Sequence, residues 1–116
     1  MRTAISLILL CLATCAMSQT PIAHYQKGDS LAARGLYGAA IQELGLAEKD
    51  EGKLLRNRRQ LLYGRLAYAH QQLGEYRKAL GYYEKQLGMM GPSSPSRDDI
   101  MLNMTDLYLL TGEYRK

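Results

Sequence analysis

The chain has 116 residues, 47% hydrophobic and 22% charged, which suits one modest globular domain. Its net charge of +4 and pI near 9.1 are too mild to argue for nucleic acid. With neither Trp nor Phe, its nine tyrosines supply all the aromatic bulk.

The first element is an export signal. Met1-Arg2 is a positive start, and Ala4 to Ala16 is apolar apart from Ser6, Thr14 and two cysteines. Ala16-Met17-Ser18 places small residues where a signal peptidase needs them, so residues 1–18 read as a signal peptide cleaved before Gln19. The run is too short to span hydrocarbon and lacks the amphipathic period of a core helix. Both cysteines, Cys11 and Cys15, lie inside it, so the mature chain has no disulfide and no thiol chemistry. In the alternative reading, Leu12-Ala13-Thr14-Cys15 resembles a bacterial lipobox, which would place a lipid on Cys15. Thr14 departs from the Gly or Ala usual before that cysteine.

Helices follow. Thr20-Pro21 is a hydroxyl cap with proline at the first helical position, opening a helix to Ala33 that Gly35 breaks. A second runs from Tyr37 to about Lys49, with Ala40, Ile41, Leu44 and Ala47 on one face, before a polar loop at Asp50-Glu51-Gly52. The third, about Lys53 to Leu73, carries Leu62, Leu66, Ala69 and Leu73 at helical spacing and is ended by Gly74. The fourth covers Tyr76 to Leu87, with Tyr76, Ala79, Leu80, Tyr83 and Leu87 inward. A Gly- and Pro-containing loop leads to a fifth at Ser96, where Asp99 suggests a capping box and Ile100, Met104 and Leu107 form the buried side. No segment alternates with the period of a strand.

One phrase recurs. Leu73-Gly74-Glu75-Tyr76-Arg77-Lys78 returns as Thr111-Gly112-Glu113-Tyr114-Arg115-Lys116, and Arg34-Gly35-Leu36-Tyr37 is a fainter copy. Gly35, Gly74 and Gly112 stand 39 and 38 residues apart, the mark of a stacked repeat. These residues resemble the tetratricopeptide repeat. The middle copy carries the pattern best, in Tyr63, Leu66, Ala67, Ala69, Gly74, Tyr76, Ala79 and Tyr83, with departures at His70 and Gln86. The third offers Met101, Met104, Thr105, Tyr108, Gly112 and Tyr114. The first offers Gly28, Leu31, Gly35, Tyr37, Ala40, Leu44 and Ala47. The long period and the Gly-Pro loop are similar to those of the long-loop, kinesin-light-chain-like subclass. The resemblance implies an all-α fold: antiparallel helix-turn-helix repeats stacked as an α-solenoid. About two and a half repeats fit, near 21–50, 54–91 and an incomplete 97–116.

It also implies a concave groove lined by the first helix of each repeat. Carried over position by position, the groove holds Ile22, Tyr25, Asp29 and Ala32, then Leu61, Gly64, Tyr68 and Gln71, then Asp99, Leu102, Asp106 and Leu109. The lysines and asparagines with which some members clamp a terminal carboxylate are absent. The competing reading is that apolar members of this set merely cover neighbouring helices. Lys53, Arg56, Arg58 and Arg59, with Arg65, form a basic cluster that reads most simply as a solvated face, leaving Leu55, Leu62 and Leu66 to point inward. His24 and His70 lack a ligand partner at metal-binding spacing, and no nucleophile elbow or phosphate cradle occurs.

The expectation is an exported, periplasmic or extracellular scaffold that binds a protein or peptide. It is no enzyme, takes no cofactor, metal or nucleic acid, and meets the membrane only if Cys15 is lipidated. Two alternatives stand beside it: the N-terminal part of a larger exported protein with a signalling or peptidase domain, and a lipid-anchored envelope assembly subunit. The incomplete last repeat leaves a face through which copies could self-associate.

Overall fold

The computed structural model describes residues 20–112; the expected export signal with Cys11 and Cys15, and Tyr114, lie outside them. Five helices follow in order: α1 (Pro21–Ala33), α2 (Tyr37–Lys49), α3 (Arg56–Gln72), α4 (Tyr76–Gly88) and α5 (Ser96–Thr111). The protein is all-α, and no strand occurs among the described residues. Consecutive helices pack as antiparallel pairs, α1 on α2 and α3 on α4. Further contacts join α2 to α3, α4 to α5 and α1 to α3.

The glycine turns make this pairing. Gly35, Gly74 and Gly112 have φ of 78°, 78° and 74°, a left-handed conformation that a side chain resists. At the first turn Gly35 N–H donates to Ala32 O at 2.9 Å and Leu36 N–H to Leu31 O at 2.9 Å. At the second, Gly74 N–H donates to Gln71 O at 3.0 Å and Glu75 N–H to His70 O at 2.9 Å. Both are the same reversal, in which orphan carbonyls at a helix end are satisfied by the two residues that leave it.

Small residues let the paired helices close. Gly28 of α1 faces Leu44 of α2, and a Cβ at Gly28 would sit 2.6 Å from Leu44 Cγ. The second pair has fully buried Ala67 and Ala79. One apolar cluster gathers Tyr25, Ala40, Leu44, Ala47 and Leu54 with Leu62 and Leu66 of α3. The other gathers Ala67, Ala79, Leu80 and Tyr83 with Ile100, Met104 and Leu107 of α5. Tyr82 packs against both, so the two pairs share one continuous apolar interior.

Polar contacts join the pairs as well. The Tyr82 hydroxyl donates to Glu48 at 2.9 Å and the Tyr63 hydroxyl to Glu51 at 2.7 Å. Lys85 lies over both rings, 5.5 Å from the Tyr63 centroid and 5.3 Å from that of Tyr82, with Glu48 at 3.6 Å. Burial first, then the bond to Glu51, pushes the Tyr63 hydroxyl from 10.0 up to about 12. Burial and the bond to Glu48 raise Tyr82 for the same reasons.

The starts of two helices differ from the sequence expectation. Thr20 caps α1 as expected, its hydroxyl accepting from Ala23 N–H at 3.3 Å. The third helix begins at Arg56, not Lys53, because Glu51–Lys53 forms a 3-10 turn that buries Leu54. Leu55 is then the residue before the helix and points outward, 75% exposed. At α5, Pro95 (φ −60°, ψ −33°) is already helical, and no side chain caps the start. The Ser96–Asp99 capping box therefore does not form, since it needs an extended residue at the cap.

Candidate functional site

A cavity of about 370 Å³ opens between α1 and α3, lined by Asp29, Ala32, Ala33, Tyr37, Arg65 and Tyr68. Tyr68 is 46% exposed and meets Tyr37 edge-to-face, with centroids 6.0 Å apart and planes at 72°. Opposite them Arg65 Nε donates to Asp29 Oδ1 at 2.5 Å. Both partners of that ion pair are nearly half exposed, so it orients the two side chains more than it adds stability. The cavity thus offers an exposed ring face beside a charge pair with unused donors and acceptors. That arrangement suits a peptide side chain and its backbone, and contains no nucleophile held by a base.

The groove residues expected from the sequence fall into three groups. Asp29, Ala32 and Tyr68 come together in this cavity. Tyr25 is in the core instead, 4% exposed, with the Arg58 guanidinium 5.8 Å from its ring centroid; burial is the main cause that raises its hydroxyl pKa. Gln71 is half-buried and accepts the Tyr83 hydroxyl at 2.8 Å. Gly64 is covered by Gln86, whose Nε2 lies 2.6 Å from where a Cβ would be. Ile22 and Leu61 are partly open to solvent. Asp99, Leu102, Asp106 and Leu109 are exposed on α5 and do not line the cavity.

Three cavity residues, Ala33, Tyr37 and Arg65, were not among the expected groove residues. Tyr37 belongs to the turn phrase and Arg65 to the basic cluster. The signal for Arg65 is its place three residues before Tyr68, one helical turn along the same face. The basic cluster itself disperses: Arg56 donates to Met89 O at 3.3 Å, Arg58 stacks on Tyr25 and Arg65 pairs with Asp29.

A second cavity, about 520 Å³, lies between α2 and α4 and is lined by Ile41, His70, Lys78, Gly81, Tyr82 and Lys85. Here buried His70 stacks on Tyr82 at 5.5 Å and 9°, and its Nδ1 is 3.1 Å from Glu75 Oε1. His70 and then Lys78 hold the Glu75 carboxyl below its usual range. His24 pairs with Glu43 at 2.8 Å and lowers its carboxyl pKa in the same way. Among the described residues no group of three or more His, Cys, Asp or Glu could hold a metal ion.

No protein-family model matches the chain, and no curated protein matches it in sequence.

Proposed function

We propose that the protein is an exported, non-catalytic scaffold of tetratricopeptide-like repeats that holds a peptide or a partner's exposed segment against α1 and α3. The observation that carries this reading is the cavity in which Asp29, Arg65, Tyr37 and Tyr68 converge. Asp29 comes from α1, and Arg65 and Tyr68 from α3, two helices that begin at equivalent places in successive repeats; Tyr37 is added by the start of α2. Supporting it are the two turns of identical hydrogen bonding and the small-residue contacts that let each helix pair close. Exposed tyrosine is a common recognition side chain because it carries large area and a polar tip at low entropy cost.

A displayed library of random peptides selected on the immobilised protein tests the reading. Selected peptides should lose about tenfold or more in affinity on Tyr68→Ala, the loss of roughly one good aromatic contact. Binders indifferent to Tyr68→Ala and to Arg65→Ala would refute the trough as the binding site.

A second reading is favoured by α5. Leu102 and Leu109 are 65% and 59% exposed, with Met101 and Leu110 open as well. In this reading further helices cover that face, and the repeats are the N-terminal part of a longer array. Extending the sequence determination in frame past Lys116 tests it.

A further inference from the structure

The cavity of about 520 Å³ between α2 and α4 shares no residue with the peptide trough. Among the described residues its walls carry three basic side chains, His70, Lys78 and Lys85, and no acid. Lys78, Gly81, Tyr82 and Lys85 follow the spacing of one helix face, so the two lysines stand two turns apart on α4 with bare backbone and a ring between them. His70 is 7% exposed; its Nδ1 is engaged by Glu75, and its Nε2 makes no bond among the described residues. Gly81 lies inside α4 without a positive φ, and a Cβ there would meet nothing within 4 Å. Glycine inside a helix is less favourable than alanine, and neither a turn nor a close neighbour requires it here. The space it leaves open belongs to the cavity. The glutamates beside the lysines hold them loosely. Glu75 and Glu48 each give one oxygen to a ring, His70 at 3.1 Å and the Tyr82 hydroxyl at 2.9 Å, and the other to Lys78 at 3.3 Å and Lys85 at 3.6 Å. Ion pairs this exposed contribute little, and each ammonium has three donors to give. Either lysine can therefore turn to a ligand without leaving its glutamate unpartnered.

We infer that this cavity binds a small organic anion, a carboxylate on an apolar body, with the carboxylate meeting the lysine ammoniums and the body lying over Gly81 between Ile41 and the Tyr82 ring. A volume of about 520 Å³ is that of a small-molecule site, and a few basic groups set on apolar walls are what orients a ligand in one. A wholly polar anion would leave Ile41 and Tyr82 uncovered, and a neutral ligand would leave the ammonium donors unused. Lysine suits a carboxylate here because it is a mobile point charge that needs no fixed fork geometry. The inference does not depend on the peptide trough, which is lined by other residues.

The test titrates the full isotope-labelled chain with 2-naphthoate and follows the amide chemical shifts. Saturable shifts should centre on Ile41, His70, Gly81 and Tyr82, with Asp29 and Tyr68 still. 2-Naphthamide, the same body without the charge, should bind about fivefold more weakly, and naphthoate should bind the double variant Lys78→Gln, Lys85→Gln about tenfold more weakly. Gly81→Leu puts a side chain into the open space. It should lower affinity more than about tenfold while thermal unfolding is unchanged or raised, since leucine favours the helix. Undiminished binding to Gly81→Leu overturns the site, and equal binding of the amide overturns the anion. Inorganic phosphate that displaces naphthoate at equal concentration overturns the apolar body. Absence of saturable shifts below about 10 mM naphthoate overturns the inference as a whole.

Discussion

The two helix pairs reverse direction with the same backbone hydrogen bonds but hold the reversal closed with different chemistry. At the α1–α2 turn the residues that exchange the long bond are Leu31 and Leu36; at the equivalent α3–α4 turn they are His70 and Glu75. At the second turn a side-chain bond between His70 and Glu75 accompanies the backbone one, where the first turn has two leucines. The interiors differ in the same sense. Gly28 leaves room for Leu44 in the first pair, whereas Ala67 and Tyr83 take those places in the second, with the Tyr83 hydroxyl led out to Gln71. The backbone geometry of the turn is therefore demanded by glycine at one position, while the side chains around it are interchangeable if size and hydrogen bonding are kept together. The aromatic pair also carries more of the fold, since Tyr82 and Tyr83 reach both apolar clusters between them.

Substitutions can break this comparison. Tyr83→Ala removes a buried ring that bridges α3, α4 and α5, and should cost about 3–5 kcal/mol in urea unfolding. Its counterpart Leu44→Ala should cost about 2–5 kcal/mol. A loss below 1 kcal/mol at either site would mean that the interior is not packed as described. Gly35→Ala and Gly74→Ala should each cost about 1–2 kcal/mol, and nearly equally, because both force a side chain into φ of 78°. Unequal costs would show that the turns are not equivalent.

Protonation sharpens the contrast. Glu75 and Glu43 have carboxyls held below the ordinary 4.5, each first by its histidine. Their stabilisation is present above that value and is lost as pH falls through the lower folded value. His70→Leu with Glu75→Leu, which copies the aliphatic turn, should flatten the acid limb of the stability curve; an unchanged limb would remove Glu75 from the account. At the other extreme, Tyr63 is held protonated to about 12. The unfolded chain releases that proton from pH 10 upward while the folded chain keeps it, so stability is intact below pH 10 and falls as pH rises toward 12. Tyr63→Phe should make this alkaline fall shallower, read by circular dichroism against pH.

Much of the architecture is legible in residues that act locally. Thr20-Pro21 marks the start of α1, and the glycines at 35 and 74 mark the two turns, because capping and left-handed φ are properties of a few neighbouring atoms. The inward sides of α4 and α5 follow from helical spacing. What depends on packing is harder to read. Arg65 meets Asp29 only because α1 and α3 pack together, and their separation of 36 residues leaves no local trace. Tyr25 looks like a groove residue by position, yet it joins the core with Leu62 and Leu66 of α3. Leu55 looks like a core leucine by composition, but the short turn before it buries Leu54 instead.

The most direct measurement is amide chemical-shift mapping of the isotope-labelled protein titrated with a library-selected peptide. The account predicts saturable shifts centred on Asp29, Tyr37, Arg65 and Tyr68. Shifts confined to the Ile41–Tyr82 cavity or to α5, with the α1–α3 trough silent, would contradict it.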